Sequence, residues 1–353
     1  MVNRIEGPKT LKRVERRHVA TTPEAMVAAS RLPEGTELPV VLRPNADGVD
    51  LAAWIAESRD RVESWVESRG GVLLRGFAVP TAEYFERVAQ AFFGELMEYT
   101  HRSTPRREVS GRVYTSTEYP ADRSIPLHNE MSYTRSWPMR IAFFCAQPAA
   151  SGGATPIADS RRVFQAIEPA VRHRFVDKGV LYARNYSRGL DLPWEDVFQT
   201  DDRAEVERFC REAGIEVEWK ADGSLRTRQV CQGAARHPRT GEMVWFNQAH
   251  LFHISSLDSE VRELLLEEAG EENLPRNAYY GDGTPIEEEA LAHIREVLDR
   301  EAIPIRWQSG DVLLLDNMLV AHARDPYTGP RRVLVAMGGA CALGPDTAPE
   351  VGK

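Results

Sequence analysis

The chain has 353 residues, 42% of them hydrophobic and 27% charged, which is ample apolar material for a packed core in one large domain or two. A net charge of −9, from 53 acidic and 44 basic residues, argues against a nucleic-acid or anionic-membrane partner. Cys145, Cys210, Cys231 and Cys341 lie far apart with no CxxC pair, so a disulfide scaffold and a cysteine zinc centre are both disfavoured. The first residues carry no apolar h-region, and no run approaches the roughly 20 apolar residues of a membrane span. A soluble, cytoplasmic protein is therefore expected.

Residues 1–25 are basic and polar and read as a partly disordered lead-in, followed by a single domain over 26–353. Residues 32–44 are proline-punctuated and extended. Leu51, Trp54, Ile55, Val62, Trp65 and Val66 recur at helical spacing, and Gly70-Gly71 ends that helix. VLLRGFAV (72–79) predicts a strand, and Thr81 caps a second helix reaching about Leu96. Residues 100–127 are polar and turn-rich, a long irregular stretch of the kind that carries function. MRIAFFCAQ (139–147) predicts a buried strand. Strand-like segments then recur at 179–187, 215–220, 224–230, 242–248, 305–318 and 331–339, with helices near 161–177, 203–213, 258–270 and 286–302. Strands and helices do not alternate one for one, and no fixed-period repeat exists. The expected architecture is mainly β with surrounding helices, built on a double-stranded β-helix (jelly-roll) core.

Among nine histidines, His128 is the one followed two residues later by an acid, in SIPLHNEMSY. On a strand, residues i and i+2 share a face, so His128 and Glu130 would present an imidazole and a carboxylate side by side. A distant histidine would complete the two-histidine, one-carboxylate facial triad of non-haem Fe(II) oxygenases. Alone, the HxE pair is equally well a solvated loop histidine beside an acid. His322 adds weight, because it follows the apolar run GDVLLLDNMLVAH near the end of a core strand. Ten residues on, Arg332 opens the apolar strand RVLVAM, where an arginine is costly to bury unless paired. A carboxylate ligand would supply the partner for its forked guanidinium. Its neighbour Arg331 is then expected on the opposite face. The bland alternative for Arg332 is a strand-edge residue reaching solvent.

With these residues in view, the chain resembles the TauD/TfdA superfamily of 2-oxoglutarate-dependent oxygenases, and most of all the clavaminate-synthase-like and SyrP-like amino-acid hydroxylases. The stretches that carry the resemblance are GGVLLRGF, LHNEMSY, FFCAQPAASGGATPIAD, VWFNQAHLFH and LLLDNMLVAHARDPYTGPRRVLVAM, spread over about residues 35–340. The resemblance implies His128, Glu130 and His322 as Fe(II) ligands. It also implies 2-oxoglutarate and O₂ as cosubstrates, Arg332 on the distal carboxylate of 2-oxoglutarate, and Thr155 in GGATP as a further cosubstrate contact. A carboxylate ligand that is Glu rather than Asp points toward the clavaminate-like branch and amino-acid substrates, and its presence favours hydroxylation over halogenation. Ala336 stands where the taurine enzymes carry a second arginine, so sulfonate recognition by that route is not supported.

The resemblance leads to hydroxylation of an unactivated C–H bond of an amino acid or amino-acid-derived small molecule, free or carrier-tethered, in secondary metabolism. Desaturation, cyclisation and oxidative decarboxylation at the same iron remain open, as does self-association. A zinc hydrolase using the same three ligands, or a metal-free jelly-roll binding module, are the readings from other classes. Neither explains Arg332 and Thr155. Candidate substrate contacts are Arg226 and Arg228, which alternate about Thr227, together with Arg184 and Asn247; each has a structural reading of equal weight. His250 and His253 form an HxxH that reads better as packed histidines than as metal ligands. Asp311 and Asp316 are expected to cap turns around the strand before His322.

Overall fold

A computed structural model describes residues 22–32, 35–98, 108–116, 119–186, 192–344 and 346–349. The expected lead-in over residues 1–25 falls almost entirely outside the described residues. The helix expected over Leu51–Ser68 is two helices, Leu51–Glu57 and Arg59–Arg69, parted at Ser58. Asp50 caps the first through the amides of Ala52 and Ala53, and Gly70 ends the second at φ 87°, a left-handed position glycine fills without strain.

Two sheets face one another. The larger has eight strands in the order Val27–Ser30, Val40–Pro44, Gly71–Leu74, Val312–Asp316, Ser136–Gln147, Arg332–Ala342, Val113–Thr115 and Glu108–Ser110. The smaller runs Ile303–Ile305, Thr155–Asp159, Val320–Arg324, Ile125–His128. The sheets do not close into a barrel. Their arrangement is the jelly roll, with the site strands drawn from the smaller sheet. A third sheet, Glu216–Trp219, Leu225–Cys231, Val180–Tyr186 and Arg276–Tyr280, is inserted in the chain between strands of the first two.

The central strands of the large sheet are buried on both faces, and alternation sorts their side chains. Val312, Leu314, Leu334 and Ala336 pack outward against Leu51, Trp54, Ile55, Phe85 and Phe92 of the covering helices. Leu313, Leu315, Val333, Val335 and Met337 point inward to Ile141, Phe143, Ile157 and Val320 between the sheets.

The turn joining Val312–Asp316 to Val320–Arg324 is held by charge. Asp316 is fully buried, accepts the amides of Met318 and Leu319 at 2.9 and 3.0 Å, and bonds His237 Nε2 at 3.0 Å and the Arg140 guanidinium. Asp311 likewise caps its turn, through the Gln308 amide at 2.8 Å, and pairs with Arg75. Burial alone would push the Asp316 carboxyl up, but the Arg140 charge and the His237 bond pull it down further, so it rests below its ordinary value of 3.8. A depressed folded value means that this stabilisation is present above the unfolded value and is lost as pH falls through the lower folded one. Arg140→Ala should therefore cost about 3–5 kcal/mol at neutral pH, the scale of breaking a buried pair, and should start the acid loss at higher pH. Denaturant midpoints measured from pH 3 to 7 check this; a variant as stable as the parent at pH 7 would refute it.

Candidate active site

His128 ends the strand Ile125–His128, and His322 lies in the middle of Val320–Arg324. The two are directly paired across the antiparallel ladder. Their rings sit with centroids 4.5 Å apart, and Phe143 lies 4.9 Å from the His322 ring on the inward side. Glu130 is not on a strand. The ladder stops at His128, Glu130 sits in the following turn, and Met131 after it has a left-handed φ of 57°. The expected side-by-side placement is reached, but by a turn rather than by strand alternation.

One ligand atom from each of His128, Glu130 and His322 falls within 4.8 Å of the others. His322 Nε2 and Glu130 Oε2 are 3.9 Å apart, too long for a hydrogen bond and within the span of two ligands each about 2.1 Å from one ion. His128 Nδ1 lies 2.8 Å from the Pro126 carbonyl, so it carries the proton and leaves the Nε2 lone pair for a metal. Glu130 and His322 are buried and His128 is half-buried. Two imidazoles and a carboxylate are the donor set of a non-haem Fe(II) centre, and the three residues fit that ion.

Beside the histidines opens a cavity lined by His128, Phe143, Thr155, His322, Arg324 and Arg331, among others. Its Thr155 hydroxyl accepts Trp307 Nε1 at 2.9 Å, which leaves the hydroxyl proton for an acceptor. Gly152 and Gly153 precede Thr155 at φ 69° and 68°, and a Cβ on Gly152 would stand 2.3 Å from the Pro326 carbonyl. This tight approach is why GGATP needs its glycines. It sets the Gly153 carbonyl 3.2 Å from Arg331 Nε.

Of the adjacent pair Arg331 and Arg332, the one that lines this cavity is Arg331. Arg332 is exposed on the other face of its strand, where its charge reaches Glu83 on the helix Ala82–Phe93. The reason is parity. Val333 and Val335 point into the space between the sheets, so Arg331 points the same way and Arg332 points out. Arg324, missed in the sequence, lies two residues past His322 on the same strand and so on the same face. That spacing was the available signal. It donates to the carbonyls of Tyr119, Pro120 and Arg123 at 3.0, 2.6 and 2.6 Å. Among the described residues neither Arg324 nor Arg331 has a carboxylate partner. Burial holds the Arg331 guanidinium below its ordinary value, and the Arg324 charge pushes the same way. The Tyr327 ring lies 5.3 and 5.5 Å from the two guanidinium carbons and eases their mutual repulsion.

The other candidates separate. Arg226 is buried but bound to Asn185 Oδ1, Glu218 and the Glu272 carbonyl, and Arg228 is exposed; both alternate with Thr227 and Gln229 and so sit on the opposite face of the third sheet from those two. Asn247 holds a turn, donating to the Gly233 carbonyl at 2.6 Å and accepting the Ala249 amide at 3.0 Å. Arg184 lines a second cavity with Tyr182, Tyr186, Thr227 and Gln229, sharing no residue with the first. His250 is packed: its Nε2 donates to the Leu127 carbonyl at 2.9 Å, and burial pushes its pKa down to about 4, leaving it neutral. The four cysteines are free. Among the described residues, no helix is long and apolar enough to cross a membrane.

This fold and donor set define the class of iron- and 2-oxoglutarate-dependent dioxygenases. Residues 34–337 match the family described as taurine catabolism dioxygenase TauD, TfdA, and the chain belongs to it. It is 41% identical over 280 residues to the dapdiamide synthesis protein DdaC of Enterobacter agglomerans, covering 79% of this chain and 85% of that one. A clavaminate synthase-like protein of Arabidopsis thaliana is 30% identical over 323 residues, covering 86% and 94%. Among solved structures, PvcB of Pseudomonas aeruginosa shares the fold at a TM-score of 0.53 and 18% identity, over 88% of this chain and 90% of that one.

Proposed function

We propose that His128, Glu130 and His322 hold Fe(II), that Arg331 with the Thr155 hydroxyl receives the far carboxylate of 2-oxoglutarate, and that the enzyme hydroxylates an unactivated C–H bond of an amino-acid-derived small molecule. The observation that carries this reading is the placement, in the same cavity as the two histidines, of a half-buried guanidinium with no carboxylate partner among the described residues. A guanidinium so placed is stabilised by a carboxylate ligand that offers it two oxygens. A zinc hydrolase reading supplies no carboxylate for the Arg331 guanidinium to pair with.

Iron and 2-oxoglutarate, when bound, supply the oxidising chemistry. The protein's own part is placement. The Pro126 carbonyl fixes the His128 tautomer, Trp307 turns the Thr155 proton toward the cavity, and Phe143 packs against His322 and limits water beside the ligand set. The relative named for dapdiamide synthesis and the clavaminate synthase-like relative support an amino-acid-like substrate in secondary metabolism. Arg184, which lines the second cavity, is the substrate candidate kept in this reading, and a carrier-bound substrate fits the reading equally.

Anaerobic Fe(II) plus 2-oxoglutarate should give a weak visible charge-transfer band that neither component gives alone. No band at saturating cosubstrate would end the oxygenase reading. A succinate-release screen over free and carrier-bound amino acids, with mass spectrometry for one added oxygen, tests the substrate.

A further inference from the structure

We propose that Asn317 is a positioning residue that takes the place of a strand partner for the carboxylate ligand, and so ties the two halves of the metal site together. The proposal rests on the reading of His128, Glu130 and His322 as metal ligands. The need for such a residue follows from the fold. Glu130 lies beyond the last rung of its strand, so no ladder holds its backbone, and Met131 beside it is in the left-handed region. A carboxylate on an unsupported turn would sample many positions, and a metal would have to select one at an entropic cost.

The Asn317 side chain meets this need from 187 residues away. Its Oδ1 accepts the Glu130 amide at 2.7 Å, and its Nδ2 donates to the Glu130 carbonyl at 2.9 Å. That donor–acceptor pair reproduces what a facing strand residue offers. The same Nδ2 also donates to the Pro138 carbonyl at 2.8 Å, which anchors the clamp to the large sheet. The Asn317 carbonyl in turn accepts Asn129 Nδ2 at 2.7 Å, so the residue between the two ligands is held as well. Asn317 is fully buried, and both Nδ2 protons and Oδ1 are used.

Its position explains the coupling. Asn317 sits in the turn that leads five residues later to His322, and its neighbour Asp316 locks that turn through Arg140 and His237. One rigid turn therefore sets both the register of His322 and the backbone of Glu130. Asn317 touches neither iron nor substrate and acts through Glu130.

The test is Co(II) titration of the metal-free full chain, followed by its visible d–d absorption. Wild type should bind, Glu130→Ala should bind poorly, and Asn317→Asp should bind about 10–100-fold more weakly with an altered Co(II) spectrum, at an unchanged far-UV circular dichroism. Asn317→Asp keeps the size and the acceptor but turns an oxygen toward two carbonyls. Wild type failing to bind Co(II) would sink the metal reading itself. Wild type binding with Asn317→Asp within threefold, and the same spectrum, would overturn the clamp alone. Should the variant not fold, amide exchange in metal-free wild type decides. The Glu130 amide should exchange as slowly as those of the adjoining strands, and fast exchange would overturn the proposal.

Discussion

Glu130→Ala and His322→Ala should each bring succinate release from 2-oxoglutarate below about one thousandth of the parent rate, well past the roughly 10–100-fold expected from losing an outer partner of a ligand. The geometry gives the reason. With His128 and His322 paired across one ladder and Glu130 closing the third side at 3.9 Å from His322 Nε2, removal of any one leaves two donors. Two donors cannot fix the open face of the ion toward the cavity that holds Arg331 and Thr155. Metal content of each purified variant, measured beside turnover, shows whether the loss is one of binding. Full turnover by either variant with a normal metal load would remove that residue from the ligand set.

The second large effect separates two adjacent arginines. Arg331→Ala should raise the KM for 2-oxoglutarate by at least about 100-fold, equivalent to roughly 2.7 kcal/mol and inside the range for truncating one partner of a buried charge pair. Turnover at saturating cosubstrate should fall much less, because the lost contact lies at the far end of the molecule from the iron. Arg331→Lys should recover only part, since an ammonium cannot repeat the planar fork. Arg332→Ala should stay within about twofold of the parent in both constants, as expected of an exposed residue away from the cavity. Initial rates over a range of 2-oxoglutarate concentrations measure all three. A large KM effect at position 332 and none at 331 would reverse the assignment and with it the inward face of the strand.

That pair of arginines shows where reading along the chain stops. RRVLVAM is apolar at every position after its arginines, because the strand Arg332–Ala342 is covered by helices on one side and by the opposite sheet on the other. Such a strand has no polar face, so its alternation reveals that neighbours point oppositely but not which points in. Arg226 and Arg228 part company for a related reason: strand parity puts them on one face, while burial against Asn185 and Glu272 gives one of them structural bonds and leaves the other in solvent. Thr155 was named only through the resemblance carried by GGATP, and the close backbone approach that requires Gly152 and Gly153 before it became visible only in the folded chain.

The metal donors, the jelly-roll class and the chemistry they imply are properties of residue type and spacing, and these survive in one dimension. His128, Glu130 and His322 carry the donor atoms that suit such an ion wherever the chain places them, and strand-length apolar runs need a sheet to bury them. Which guanidinium faces the cavity, that Glu130 rides on a turn, and that Asn317 holds that turn from 187 residues away were decided only when the sheets packed. Those facts depend on the inward or outward sense of a doubly buried strand and on hydrogen bonds between distant segments, and neither is written in any local pattern.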